Sequence, residues 1–210
     1  MADAPRIVVV SSLALKGVLE EFRPAFERSL AARLELRFDA TQAILAQLGS
    51  LRADLLVLTA EAMEALRKGG GVTQVRGLGS SGIGVAVRAG APKPDIGSVE
   101  ALKRTLAGAS SVAHSKVGAS GIYFVELLQR LDIALKKRVV VEKGPVGLVV
   151  AAGEAELGVQ QLCELEPVPG IDIVGPLPEA VQKVTHFAAG IPADAAHAQR
   201  AAALAAMLRL

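Results

Sequence analysis

Apolar positions recur along this chain in two alternating rhythms. Ile7 to Val10 is an unbroken β-branched run, the pattern of a strand buried on both faces of a parallel sheet. Ser11 and Ser12 end it. Leu15, Val18, Leu19, Phe22, Phe26 and Leu30 then return at three- and four-residue steps, with Glu20, Glu21, Arg23 and Glu27 on the other face, which predicts one amphipathic helix. The alternation repeats: Leu34 to Phe38 reads as a strand, Ile44, Leu45 and Leu48 as a short helix, Leu55 to Leu58 as a strand, and Met63 and Leu66 as a helix closed by Gly69-Gly70-Gly71.

A glycine-rich stretch between Gly77 and Gly84 interrupts the rhythm, and a strand pattern resumes through Val85, Val87 and Arg88. The first crossing between two sections is expected there. Ala91 to Asp95 reads as a turn, and Ser98 is placed to cap a helix carrying Val99, Leu102 and Leu106, because its hydroxyl can take a first-turn N–H. Ser111 to His114 restarts a strand, and Gly118-Ala119-Ser120-Gly121 opens a broad apolar helix. Further strands are expected at Val139 to Val141, Leu157 to Val159 and Ile171 to Val174, and a final alanine-rich helix from Ala195 to Leu208. Strands alternating with helices predict right-handed βαβ units around largely parallel sheets. The expected class is α/β in two lobes: residues 1–80 with 180–210, and residues 81–179, with crossings near 82–85 and 174–178.

Composition narrows the function. Apolar residues make up 51% of the 210 positions but aromatics only 3%, without Trp, so stacking platforms for bases or sugars are not expected. A net charge of +2 gives no electrostatic footprint for a phosphate backbone, and no nucleic-acid partner is expected. Lys136-Lys137-Arg138 reads as a solvated connection. No apolar run reaches the roughly 18 to 20 residues that cross a bilayer, so no membrane insertion is expected. Cys163 is the only cysteine, and His114, His186 and His197 lie far apart, so neither a disulfide nor a metal site is expected, nor any cofactor. Gly77-x-Gly79-x-x-Gly82 matches the bare dinucleotide fingerprint, but that motif must follow a strand and open a helix. Here it leads into a strand.

The polar residues that remain cluster where strands hand over to helices. Ser11-Ser12 pairs hydroxyls with the N–H groups of a coming helix, a seat for an anion; ordinary capping by Ser12 accounts for the same residues. Ser120 carries the same ambiguity. Thr41 and Gln42 repeat the arrangement, with Asp39 as an alternative cap, and Gly144 to Gly147 add a fourth junction. His114 and Lys116 follow a strand, at the strand end where α/β sheets receive ligands; a surface pair is the plainer reading of that loop's composition.

At these same junctions the chain resembles the molybdate-binding protein family of ABC importers, which have the type II periplasmic-binding fold. The resemblance rests on Ser11-Ser12-Leu13, Phe38-Asp39-Ala40-Thr41 with Leu45-Ala46, Ala53-Asp54-Leu55-Leu56, Gly121-Ile122-Tyr123 and Gly153-Glu154-Ala155-Glu156-Leu157-Gly158. It implies a small anion held in a cleft between two lobes by Ser11 or Ser12, by Thr41 or Gln42, by backbone groups near Ala119, Ser120 and Val146, and by a second-lobe residue where the family has tyrosine and this chain has Gln160. An amide both donates and accepts, which suits a carboxylate or hydroxylated organic acid better than a bare oxoanion. Lys116 and Lys143 are candidate counter-charges.

Two functions follow from this resemblance. One is a solute-binding protein or cytoplasmic anion sensor with no catalytic group, and with an ABC permease as partner if the protein is exported. The other is an isomerase, because proteins resembling this family include aconitate isomerase; His114, Lys116 and Tyr123 would then supply proton transfer. The sequence as it stands shows no basic start followed by an apolar stretch and a small-residue cleavage site, so a cytoplasmic location is expected, or a periplasmic one if a leader has been removed.

Overall fold

The computed structural model describes residues 4–210. They form two compact units, one of residues up to Ser80 with Thr185–Leu210, the other Ser81–Val184.

In the first unit, β1 (Arg6–Ser11) leads through a 3-10 turn at Leu13–Leu15 into α1 (Lys16–Glu21) and α2 (Arg23–Leu30). The single helix expected here is two, because Pro24 has no N–H to give to the preceding turn and its ring clashes with that turn's carbonyl. Then come β2 (Arg33–Phe38), α3 (Thr41–Gln47), β3 (Leu55–Thr59), α4 (Ala60–Lys68) and β4 (Val72–Ser81). The glycine-rich stretch expected as a connection is thus a strand. It lies at the sheet edge, where glycine's lack of packing surface is tolerated, and Gly79 at φ +145° leaves room for Leu210, whose N–H reaches Leu78 O at 3.0 Å.

The second unit holds β5 (Ile83–Arg88), α5 (Val99–Gly108), β6 (Val112–Ser115), α6 (Ala119–Arg130), β7 (Arg138–Val141), α7 (Val146–Ala151), β8 (Leu157–Gln161), α8 (Leu162–Leu165) and β9 (Ile171–Pro176). Ser98 caps α5 as expected, its hydroxyl accepting the Ala101 N–H at 3.1 Å. The chain returns to the first unit as β10 (Thr185–Pro192) and ends in α9 (Ala198–Met207). The divisions fall at 80/81 and 184/185, so residues 82–85 and 174–178, expected as crossings, lie inside the second unit, mostly in β5 and β9.

Each unit has one five-stranded sheet, ordered β2-β1-β3-β10-β4 and β7-β6-β8-β5-β9. β1 pairs parallel with β2 and β3, and β6 parallel with β7 and β8; β10 and β5 run antiparallel beside β3 and β8. Ile44, Leu56, Leu58 and Met63 pack on one face of the first sheet. In the second unit Phe124 and Leu127 of α6 and Leu102 and Leu106 of α5 cover Val85, Val112 and Val159, while Val146 covers Ala113 on the opposite face. Burial of each large side chain contributes about 1.5–3 kcal/mol. Among the described residues no helix is long and apolar enough to cross a membrane.

Candidate functional site

Because β1, β2 and β3 are parallel, their C-terminal ends share one edge of the first sheet. Ser11 ends β1 fully buried, its hydroxyl donating to Ser12 O at 2.7 Å. The Ser12 N–H donates to Val57 O at 2.7 Å, which fixes the turn against β3. The Ser12 hydroxyl itself is buried, in a residue 4% exposed, and has no hydrogen-bond partner among the described residues. Capping does not occupy it, since Ser12 precedes the 3-10 turn without a side-chain bond to it. Leaving such a hydroxyl dry and unpaired costs about 1–3 kcal/mol. Thr41, half-buried, and Gln42, exposed, open α3 on the same edge. Asp39 does not cap that helix; its carboxylate takes the Ala40 N–H at 2.8 Å.

The parallel ends of β6, β7 and β8 likewise share one edge of the second sheet. Ser115 closes β6, its hydroxyl accepting the Gly118 N–H at 3.2 Å. A Cβ on Gly121 would overlap the Ser115 carbonyl oxygen, so only glycine lets α6 start this close. Ala119 is exposed and Ser120 buried at that start. His114 Nδ1 lies 2.9 Å from Ser115 O. A carbonyl can only accept, which puts the ring hydrogen on Nδ1 and leaves Nε2 a bare acceptor; Nε2 is buried and has no partner among the described residues. Burial lowers the His114 pKa against the pull of the Ser115 carbonyl, and Arg138 lowers it further.

Gln160, at the end of β8, accepts the Val146 N–H on Oε1 at 2.8 Å and donates from Nε2 to Glu164. The Val146 N–H, expected to face a ligand, is therefore engaged inside the unit. Desolvation pushes the Glu164 carboxyl up to about 7, against the lowering effect of the Gln160 bond. Tyr123 sits on the second turn of α6 with its hydroxyl committed: it donates to Val181 O at 2.8 Å and accepts from Arg130 at 2.9 Å. Lys116 forms an exposed ion pair with Glu142 at 3.0 Å, and Lys143 is exposed.

The expected residues thus fall into two groups. Ser11, Ser12, Thr41 and Gln42 share the edge of the first unit; His114, Lys116, Ala119, Ser120, Val146 and Gln160 share that of the second, with Tyr123 turned aside to Val181. Sequence reasoning missed Ser115 and Glu164. A lone carboxylate among Leu162, Cys163 and Leu165, directly after a buried strand, was the available signal for Glu164.

This architecture is that of the type II periplasmic-binding class, and the sequence agrees. The pattern of the bacterial extracellular solute-binding protein family matches residues 7–209, and the chain belongs to that family. An aconitate isomerase from Pseudomonas sp. is 40% identical over 210 aligned residues, covering 94% of this chain and 80% of that protein. Among solved structures, the periplasmic molybdate-binding protein of Azotobacter vinelandii superposes with a TM-score of 0.77 at 18% identity, over 95% of this chain and 91% of that one. The reduced OxyR regulatory domain of Pseudomonas aeruginosa gives 0.64 at 17%, over 97% and 96%. At these identities the two structures speak to the fold alone.

Proposed function

We propose that the protein binds a small anion, an organic carboxylate or an oxoanion, as a solute-binding protein. The observation that carries this reading is the Ser12 hydroxyl, buried at the end of β1 without a partner: an acceptor supplied by a ligand removes the penalty of leaving it dry. The reading assigns ligand contacts to Ser11, Ser12, Thr41 and Gln42 at the strand ends of the first unit. Membership of the solute-binding family supports it, and an ABC permease is the partner it implies. Gln160, able to donate and accept, favours an organic acid. The test is calorimetric titration of wild type and Ser12→Ala with molybdate, citrate and trans-aconitate. The variant should bind about 0.5–1.5 kcal/mol more weakly, and more if the contacted oxygen is charged; equal affinity for every ligand that binds rejects the role of Ser12.

A second reading is favoured by the Pseudomonas relative and by His114 Nε2, a buried lone pair without a partner. Here the bound acid is an unsaturated tricarboxylate and the protein an isomerase. A base takes a proton from a carbon beside the double bond and a proton returns at the other end of the shifted bond. His114 is the base this reading selects, because the Tyr123 hydroxyl proton and the Lys116 ammonium are already engaged. Deuterium from solvent entering cis- or trans-aconitate at the wild-type rate but not with His114→Gln supports it. No exchange with wild type excludes it.

A further inference from the structure

Glu164 is half-buried and, when ionised, has no positive charge paired with it among the described residues. No ion pair among the described residues involves it. Of the elements packed on α8, α7 and β8 hold no ionisable side chain, β9 holds Asp172, and β5 holds Arg88 at its far end, since Ile83 at the near end pairs with Gln161. Cys163 on α8 and Glu166 just beyond it bring no positive charge either. What meets the carboxyl is the Gln160 carboxamide, whose other end takes the Val146 N–H at 2.8 Å.

That arrangement is polarised. An ionised carboxylate only accepts, so it holds the NH2 end of Gln160 and turns the oxygen to Val146. A protonated carboxyl can donate its O–H to that oxygen instead. The carboxamide then turns over, its NH2 meets the Val146 N–H donor to donor, and both N–H groups must find an acceptor elsewhere.

We propose that Glu164 is a positioning residue which, by giving up or taking one proton from solvent, decides which end of Gln160 faces Val146 and so whether this edge offers its N–H donors to an anion. The inference deepens the anion-binding reading and rests on it. Burial of the carboxyl sets the exchange near neutral pH, and by linkage an anion that claims the freed donors draws the proton on.

Amide cross-peaks of 15N-labelled protein without ligand test the switch directly. Between about pH 5.5 and about pH 8.5 the Gln160 side-chain NH2 and the Val146 N–H should titrate together with one midpoint, and be flat in Glu164→Gln. Flat cross-peaks in wild type overturn the proposal. Should Glu164→Gln fail to fold, Gln160→Leu serves: loss of the Val146 titration supports the relay, and its persistence overturns it. Calorimetry with citrate or molybdate in two buffers of unlike ionisation enthalpy should then show proton uptake by wild type. Affinity should rise roughly tenfold or more from about pH 8.5 to about pH 6.5. An anion that binds without proton uptake also overturns the proposal; if none of the probes binds, the anion reading falls while the amide titration still decides the switch.

Discussion

One carboxylate oxygen of Asp54 accepts the N–H of His197 at 2.8 Å, and its other oxygen accepts the N–H of Val8 at 2.9 Å. A residue 4% exposed at the entrance to β3 thus ties the start of the sheet to the entrance of α9, 143 residues away in sequence. Both bonds are to a charged acceptor, each contributing about 1.5–3 kcal/mol. Asp54→Ala leaves two N–H groups without their partner, so urea unfolding should show a loss of about 3–5 kcal/mol. A loss under about 1 kcal/mol would mean that water replaces the carboxylate.

The junction of β6 with α6 depends on glycine in a way that can be isolated. Gly121→Ala places a methyl on the Ser115 carbonyl, a backbone atom that cannot step aside, and should destabilise by about 2–4 kcal/mol. Gly108, at the last turn of α5, has open space around its missing side chain. Gly108→Ala should stabilise by up to about 1 kcal/mol, because alanine loses less backbone freedom in a helix. Thermal melts of the two variants should move in opposite directions.

Cys163 is expected to be chemically quiet. Burial raises its thiol to about 12, Ser81 opposes the rise, and Glu164 and Glu166 add to it. The thiolate fraction at neutral pH is therefore negligible. A disulfide reagent should label half-buried Cys163 much more slowly in the native protein than in urea; equal rates would contradict the raised thiol pKa.

What could be read in advance was what local chemistry dictates. Ile7 to Val10 stand as β1 because a β-branched run has few other uses, and Ser98 caps α5 because the first-turn N–H groups need an acceptor. β10 was illegible for the opposite reason: Phe187-Ala-Ala-Gly-Ile-Pro is buried throughout, yet alanine and glycine give neither alternation nor β-branching. Its place between β3 and β4 comes from tertiary burial alone. The site was half legible. Ser12 stood out at the end of a strand, whereas the coupling of Gln160 to Glu164 depends on how the chain turns after β8, which spacing does not encode.

Stability against pH should carry two opposed signatures. His114 is harder to protonate folded than unfolded, because burial penalises the imidazolium. Above its ordinary 6.5 the ring is neutral in both states and its contribution is intact; as pH falls below 6.5 the unfolded chain binds the proton first and stability drops. Glu164 runs the other way. Its carboxyl is held protonated to about 7 in the fold against an ordinary 4.5, so its contribution is full below 4.5 and is lost as pH rises through 7. A shift of that size corresponds to something on the order of 3 kcal/mol. His114→Phe, which keeps a ring against Phe124, should remove the acid-side loss, and Glu164→Gln should gain most over wild type above pH 7 and least near pH 4.5. Urea midpoints for the three proteins across that range check both signs, and a constant offset between wild type and Glu164→Gln at every pH would show that the carboxyl titrates alike in the folded and unfolded chain.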